Sequence, residues 1–249
     1  MFQVVLTPAA GKRLIAKGIL KHPMVQATLR SGTMVIVAGT TNGYVAEEIL
    51  SFLGYLQGFN RKRFFRGITV PPSAQAPGPG ECPGDVVIVR GEWLPGKTIF
   101  DVAGELNPGD IIVKGANALD IAGKRAGILV GHPQGETIIA ALQAVVGRRV
   151  HLLIPVGLEK RIVGDLDEIA RKVNAGEASG PRLLPVTGEV FTEIEAIRLL
   201  SGATATMVAG GGVGGAEGAV WLAVEGNAEE ENRARELIAS LADEPPFTF

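Results

Sequence analysis

Two apolar runs end in polar, glycine-containing loops about seventy residues apart, and this arrangement restricts the fold more than any other feature of the chain. MVIVA (34–38) feeds GTTNGYVAEE (39–48), and DIIV (110–113) feeds KGANALD (114–120). A short apolar run bounded by such a loop reads as a buried strand. The spacing of Tyr44, Ile49, Leu50, Phe52 and Leu53 after the first loop reads as one face of a helix. Strand, loop and helix in alternation build a parallel sheet, in which loops leaving the carboxyl ends of strands form the ligand crevice. Both loops therefore point to one site.

The rhythm continues along the chain. Thr7 and Pro8 open a helix over 7–20, since Thr caps and Pro is tolerated in the first turn. A short helix after Pro23 leads to the first strand. Strands are expected at 63–70, 85–89, 110–113 and 150–156, and helices at 98–106 and 136–146. PPSAQAPGPGECPG (71–84) reads as a long loop, because Pro removes donors and Gly adds chain entropy; loops of that length are often lids. After a helix capped by Asp165, the pattern becomes strand 182–186, helix 191–200, strands 203–208 and 219–224, and helix 228–241, with AGGGVGGAEG (209–218) as a hairpin tip. The expected fold is α/β: a doubly wound, mostly parallel Rossmann-like sheet over 1–174, then a smaller α+β domain of ferredoxin-like order over 181–249. NAGEASGP (174–181) is the expected linker.

Composition limits the function. A hydrophobic fraction of 46% with 20% charged residues is that of a globular chain, and a net charge of -2 supplies no global field for nucleic acid or an anionic membrane. The run Arg61, Lys62, Arg63, Arg66 reads either as a solvated strand edge or as a phosphate or partner contact. One cysteine, Cys82, excludes an intrachain disulfide and has no visible activating partner. No apolar run is long enough to span a membrane, and the N-terminus does not read as a signal peptide, so a cytoplasmic location is expected.

Three loops carry candidate chemistry. Gly39, Thr40, Thr41, Asn42 and Gly43 lead into a helix whose free N–H groups and dipole attract an anion, with Asn42 as its expected cap. A capped turn without a ligand is the alternative. The motif is neither a Walker loop nor GxGxxG. In KGANALD, Lys114 suits a phosphate or a developing oxyanion, Gly115 and Asn117 stand beside it, and Asp120 is a candidate general base. Alternatively Asn117 makes an Asx-type turn and Asp120 caps the next loop. ILVGHPQGETI (128–138) adds His132 and Gln134 as ligand-binding candidates and Glu136 as a second proton carrier, although a lone His is also commonly structural. His151 reads as a hydrogen-bonded strand residue and His22 as exposed. No His and carboxylate spacing forms a metal-ligand set, and neither metal nor cofactor is expected.

GTTNGYVAEEIL after its strand resembles the first phosphate-binding turn of the superfamily of ribose-phosphate isomerase, glucosamine-phosphate deaminase and the CoA-transferases. KGANALD, followed by AGILVG and VHLLIPVGLEKRI (150–162), is similar to the later turn of its lactate-utilisation-like and methylthioribose-phosphate-isomerase-like branches. The resemblance covers 35–162. It implies an enzyme acting on a small phosphorylated or anionic metabolite, by sugar-phosphate-isomerase-like or CoA-transferase-like chemistry, in a homo-oligomer. The departures are specific. Lys114-Gly115-Ala116-Asn117 replaces the DGAD-type carboxylates of the ribose-phosphate isomerases, and Asn117 takes the position of a catalytic aspartate in the methylthioribose-phosphate branch. Asparagine does not exchange a proton as a carboxylate does. A non-catalytic metabolite-binding or regulatory protein on the same scaffold is therefore the alternative reading.

Overall fold

The computed structural model describes residues 1–73 and 84–248. The expected loop at 71–84, apart from its ends, and Cys82 fall outside the described residues. In chain order the elements are β1 (Phe2–Leu6), α1 (Pro8–Lys21), α2 (Pro23–Ser31), β2 (Thr33–Ile36), α3 (Thr40–Leu53), β3 (Val86–Val89), β4 (Glu92–Trp93), α4 (Ile99–Val102), β5 (Ile111–Val113) and β6 (Ala118–Asp120). They continue with β7 (Arg125–Val130), α5 (Glu136–Arg148), β8 (His151–Pro155), α6 (Leu166–Val173), β9 (Arg182–Val186), β10 (Glu189–Phe191), α7 (Glu193–Ser201), β11 (Thr204–Gly210), β12 (Val220–Glu225) and α8 (Ala228–Ala239).

The apolar runs 34–38 and 110–113 lie side by side. β2 pairs with β5 in parallel, β5 with β8 and β8 with β10, so four strands end at the same sheet edge. On the other side β3 and β4 continue the sheet antiparallel, giving the order β10-β8-β5-β2-β3-β4. Val35, Ile36, Val87, Ile112, Leu153 and Ile154 are all buried, as strands covered on both faces must be. The parallel strands run outward in sequence order without reversal.

Two smaller antiparallel sheets flank this one. β1-β12-β11 has the N-terminal strand on one side of β12, in register from Phe2 opposite Val224 to Leu6 opposite Val220. AGGGVGGAEG joins β11 and β12 as the expected hairpin connection. The third sheet, β6-β7-β9, holds a hairpin from within the first half against the first strand after the linker.

Residues 181–249 therefore depart from a self-contained ferredoxin-like unit: their strands are divided among three sheets, and β10 joins the parallel one. Even the expected linker is tied down, since Asn174 exchanges two hydrogen bonds of 2.8 Å with the Leu183 backbone. The strand expected at 63–70 does not form. A 3-10 turn at Arg61–Arg63 is followed by irregular chain, and the place beside β2 is taken by β3. Phe64 and Phe65 are buried nonetheless, which accounts for the apolar signal. His22 is not exposed as expected: it meets Phe191 edge-on, and with His151 it grips opposite oxygens of Glu189, at 3.0 and 2.7 Å.

Candidate functional site

The carboxyl ends of β2, β5 and β8 open onto a cleft of about 830 Å³, the size of a small-molecule site. Gly39, Thr40, Thr41 and Asn42 line it from β2, and Lys114, Gly115 and Asn117 from β5. From β8 the turn carrying Glu159 and Lys160 completes the edge, a contribution the sequence reading did not assign. The GHPQGET loop follows β7 of the third sheet, not a strand of the parallel one, yet it closes the far wall with His132 and Glu136. Glu136 holds a left-handed backbone, φ 45°, which is unfavourable for a residue with a side chain.

Three expected site residues stand apart from the lining. Gly43 lies one turn into α3, where a Cβ would sit 3.0 Å from Arg61. Asp120 turns back to accept the Gly123 N–H at 3.0 Å, the loop-capping alternative, and Gln134 contributes its backbone N–H to His132 Nδ1 at 3.2 Å. Asn117 does double service: its backbone N–H bonds Gly127 and its Oδ1 accepts from Leu129 N–H, which fastens the β5 loop to β7.

The first turn of α3 leaves polar groups without protein partners. Helix geometry leaves its first N–H groups without internal partners, and the N-cap residue, Gly39, offers no side chain to satisfy them. Asn42 does not cap the helix as expected. It lies within the first turn and donates Nδ2 to the carbonyls of Val37 and Val113, at 2.7 and 3.1 Å, so one amide fixes the ends of β2 and β5. Its Oδ1 and the Thr41 hydroxyl are buried without a protein partner, in residues only 1% and 2% exposed. Buried polar atoms are nearly always satisfied, so these two leave hydrogen-bonding capacity unused at the first turn of α3.

Charge points the same way. The chain is net negative, yet Lys12, Arg66, Lys114 and Lys160 face this cleft against the carboxylates of Glu136 and Glu159. Arg66 is held by the buried Asp85, whose Oδ1 takes both the Arg66 guanidinium at 2.8 Å and the Ala38 N–H at 2.9 Å. Lys160 donates to the Ala116 carbonyl at 2.7 Å, and burial lowers its pKa. Burial also brings the Lys114 ammonium down to about 8, opposed by the charge of Asp85 and assisted by Arg66 and Lys160. Lys114 therefore gives up its proton more readily than an exposed lysine does.

Arg66 belongs to the basic run for which a phosphate contact was one of two readings, whereas Lys12, Glu159 and Lys160 were missed because they lie on elements far apart in sequence. For Glu159 and Lys160 the position of GLEK directly after an apolar strand gave a local signal, the same signal that marked the other two loops. Among the described residues no cluster of His, Cys, Asp and Glu is arranged to hold a metal ion, and no helix is long and apolar enough to cross a membrane. Comparison of the chain with family models, curated proteins and solved structures finds no match.

Proposed function

We propose that the cleft binds a small phosphorylated or otherwise anionic metabolite and acts on it as an enzyme, with sugar-phosphate-isomerase-like or CoA-transferase-like chemistry. The observation that carries this reading is the open first turn of α3, with the unpartnered Thr41 hydroxyl and Asn42 Oδ1 beside Lys114. The N–H groups and the Thr41 hydroxyl donate to an anion, whereas Asn42 Oδ1 requires a donor. A phosphate would satisfy the donors at this turn. Lys114 would polarise a carbonyl of the ligand or neutralise the phosphate. The reading includes a homo-oligomer, which sedimentation velocity would read directly.

Thermal-shift titration with inorganic phosphate, ribose 5-phosphate and a CoA ester tests it. Ligand that binds only the native state at a hundredfold excess over Kd adds about 2.7 kcal/mol, a clear rise in Tm. Lys114→Ala and Thr41→Val are expected to lose most of that rise. If no compound shifts the parent, or the variants respond as the parent does, the reading is wrong. Binding without turnover of any compound would identify the protein as a metabolite-binding or regulatory one.

A further inference from the structure

Arg66, Lys114 and Lys160 face the cleft together, and two of these cations are tied down. Arg66 is bound to Asp85 at 2.8 Å and Lys160 to the Ala116 carbonyl at 2.7 Å. Lys114 has neither kind of partner: among the described residues its Nζ makes no hydrogen bond and no ion pair. Asp85 is the carboxylate whose charge reaches Lys114, and both of its oxygens are committed elsewhere. Oδ1 accepts from the Arg66 guanidinium and the Ala38 N–H, and Oδ2 accepts from the Ile99 N–H at 2.8 Å.

The backbone fixes this amine at the mouth of the site. Lys114 donates its N–H to Leu153 at 3.0 Å, which carries the pairing of β5 with β8 one residue further. A Cβ on the next residue, Gly115, would lie 3.6 Å from Asn42 Oδ1, so Lys114 stands beside the open first turn of α3. A partly buried ammonium with two cations near it and no carboxylate paired to it is destabilised relative to the free amine. Burial is the larger cause, and Arg66 and Lys160 add to it against the pull of Asp85. An ion-paired lysine serves as a charge. An unpaired, desolvated one beside other cations is a nucleophile.

We propose that Lys114 captures the carbonyl of an anionic aldehyde or ketone as an imine, while the first turn of α3 holds the anionic group. This rests on the anionic-metabolite reading and gives Lys114 a covalent role within it. The ammonium first releases one proton to solvent. The nitrogen lone pair then bonds the carbonyl carbon, the carbonyl π pair moves onto oxygen, and a proton passes from nitrogen to that oxygen to give a carbinolamine. The hydroxyl takes back one proton from solvent and leaves as water, while the nitrogen lone pair closes the C=N bond. Ammonium plus carbonyl thus become iminium plus water, with one positive charge on each side and neither oxidant nor reductant. The iminium draws electrons from the adjacent carbon more strongly than the carbonyl did.

Pyridoxal 5′-phosphate, used as a labelling reagent because it carries both an aldehyde and a phosphate, tests this on the full chain. Borohydride reduction fixes any imine, and peptide mapping locates it. The label is expected on Lys114, in the tryptic peptide 98–124, because trypsin no longer cuts after that residue. It should form at least about tenfold faster there than on Lys172, which is exposed on α6. The rate should rise with pH to a midpoint near 8. Inorganic phosphate at about ten times its Kd should slow it about tenfold. Lys114→Arg keeps a cation but forms no imine, so it should lose the label at that site and retain stabilisation by phosphate. The mapping on the parent decides even where this variant fails to fold.

Label spread over the lysines according to their exposure, or absent from Lys114 in a parent that phosphate stabilises, overturns the nucleophile and leaves the binding reading standing. A parent that phosphate neither stabilises nor protects from labelling removes the binding reading, and with it the assigned substrate class.

Discussion

Glu193 and Lys114 give the stability of the protein opposite slopes on either side of pH 8. The ordinary value of a glutamate is 4.5, and the folded Glu193 is raised to about 8. Between these limits the native state holds more protons than the unfolded chain, so stability falls as pH rises. Lys114 is lowered from 10.5 to about 8. Between those limits the unfolded chain holds more protons, and stability rises with pH; Lys160, lowered by its burial, acts in the same sense. The expected result is a minimum of denaturation stability near pH 8, with slopes of at most about 1.4 kcal/mol per pH unit for each group. Glu193→Gln should remove the fall on the acid side and leave the rise on the basic side. A parent with flat urea midpoints from pH 5 to 8 would contradict this. Asn42 supplies a second residue-scale test, since Asn42→Asp replaces the donor to Val37 and Val113 with an acceptor. The buried Val37 carbonyl then loses its partner while the Val113 carbonyl keeps the Val37 N–H, for a cost of about 1–3 kcal/mol in urea denaturation. The sequence placed Asn42 at the site but gave it the wrong task. A cap and a strand-end clamp both call for a short polar side chain after a strand, and the deciding partner, Val113, lies in the other loop's strand.

At the scale of elements, those that declare their own ends were legible. Thr7 accepts from Ala10 N–H and Asp165 from Glu168 N–H at the helix starts their sequences announce, and β9 occupies the expected 182–186. The capping box of Thr192 and Glu195 shortened the helix expected from 191 by reserving Phe191 for β10. Elements defined by distant partners were not legible. β1 and β10 are strands through their pairing with β12 and β8, whereas 63–70 has no strand partner. Helix contacts have the same long-range character. α1 packs on both α3 and α7, and at Gly18 the approach is so close that a Cβ would lie 2.9 Å from both Ala196 Cβ and Phe191 Cε1. Gly18→Val should therefore cost about 2–3 kcal/mol through overpacking, despite the helical gain of losing a glycine. Thermal denaturation would show it, and a variant as stable as the parent would mean that α1 and α7 are free to separate.

For the molecule as a whole, the question is whether the chain divides near residue 174, as its composition invites. NAGEASGP has the small, polar character of a linker, and the segments on either side alternate differently. Contacts across that point argue against division. β12 is held on one side by the N-terminal strand, β9 by β7, and β10 by β8, so each sheet draws on both halves. One apolar core also runs through both, from Leu14, Ile36 and Ile112 to Ile197, Leu222 and Ile238. A fragment of 181–249 would lose β1, β7 and β8 together, leaving strand edges unpaired and the inner face of α7 without α1. It is expected to give no cooperative urea transition and few dispersed amide resonances, while the full chain unfolds in a single step. A fragment that unfolds cooperatively by itself would restore the two-domain reading. The same coupling bears on the cleft. Glu193 and Leu158 come from opposite sides of residue 174 and are joined by one hydrogen bond, so the turn that carries Glu159 and Lys160 into the cleft is anchored only when both halves fold together. Co-expressed fragments of 1–174 and 181–249 should recover phosphate-dependent stabilisation only under conditions where the two associate.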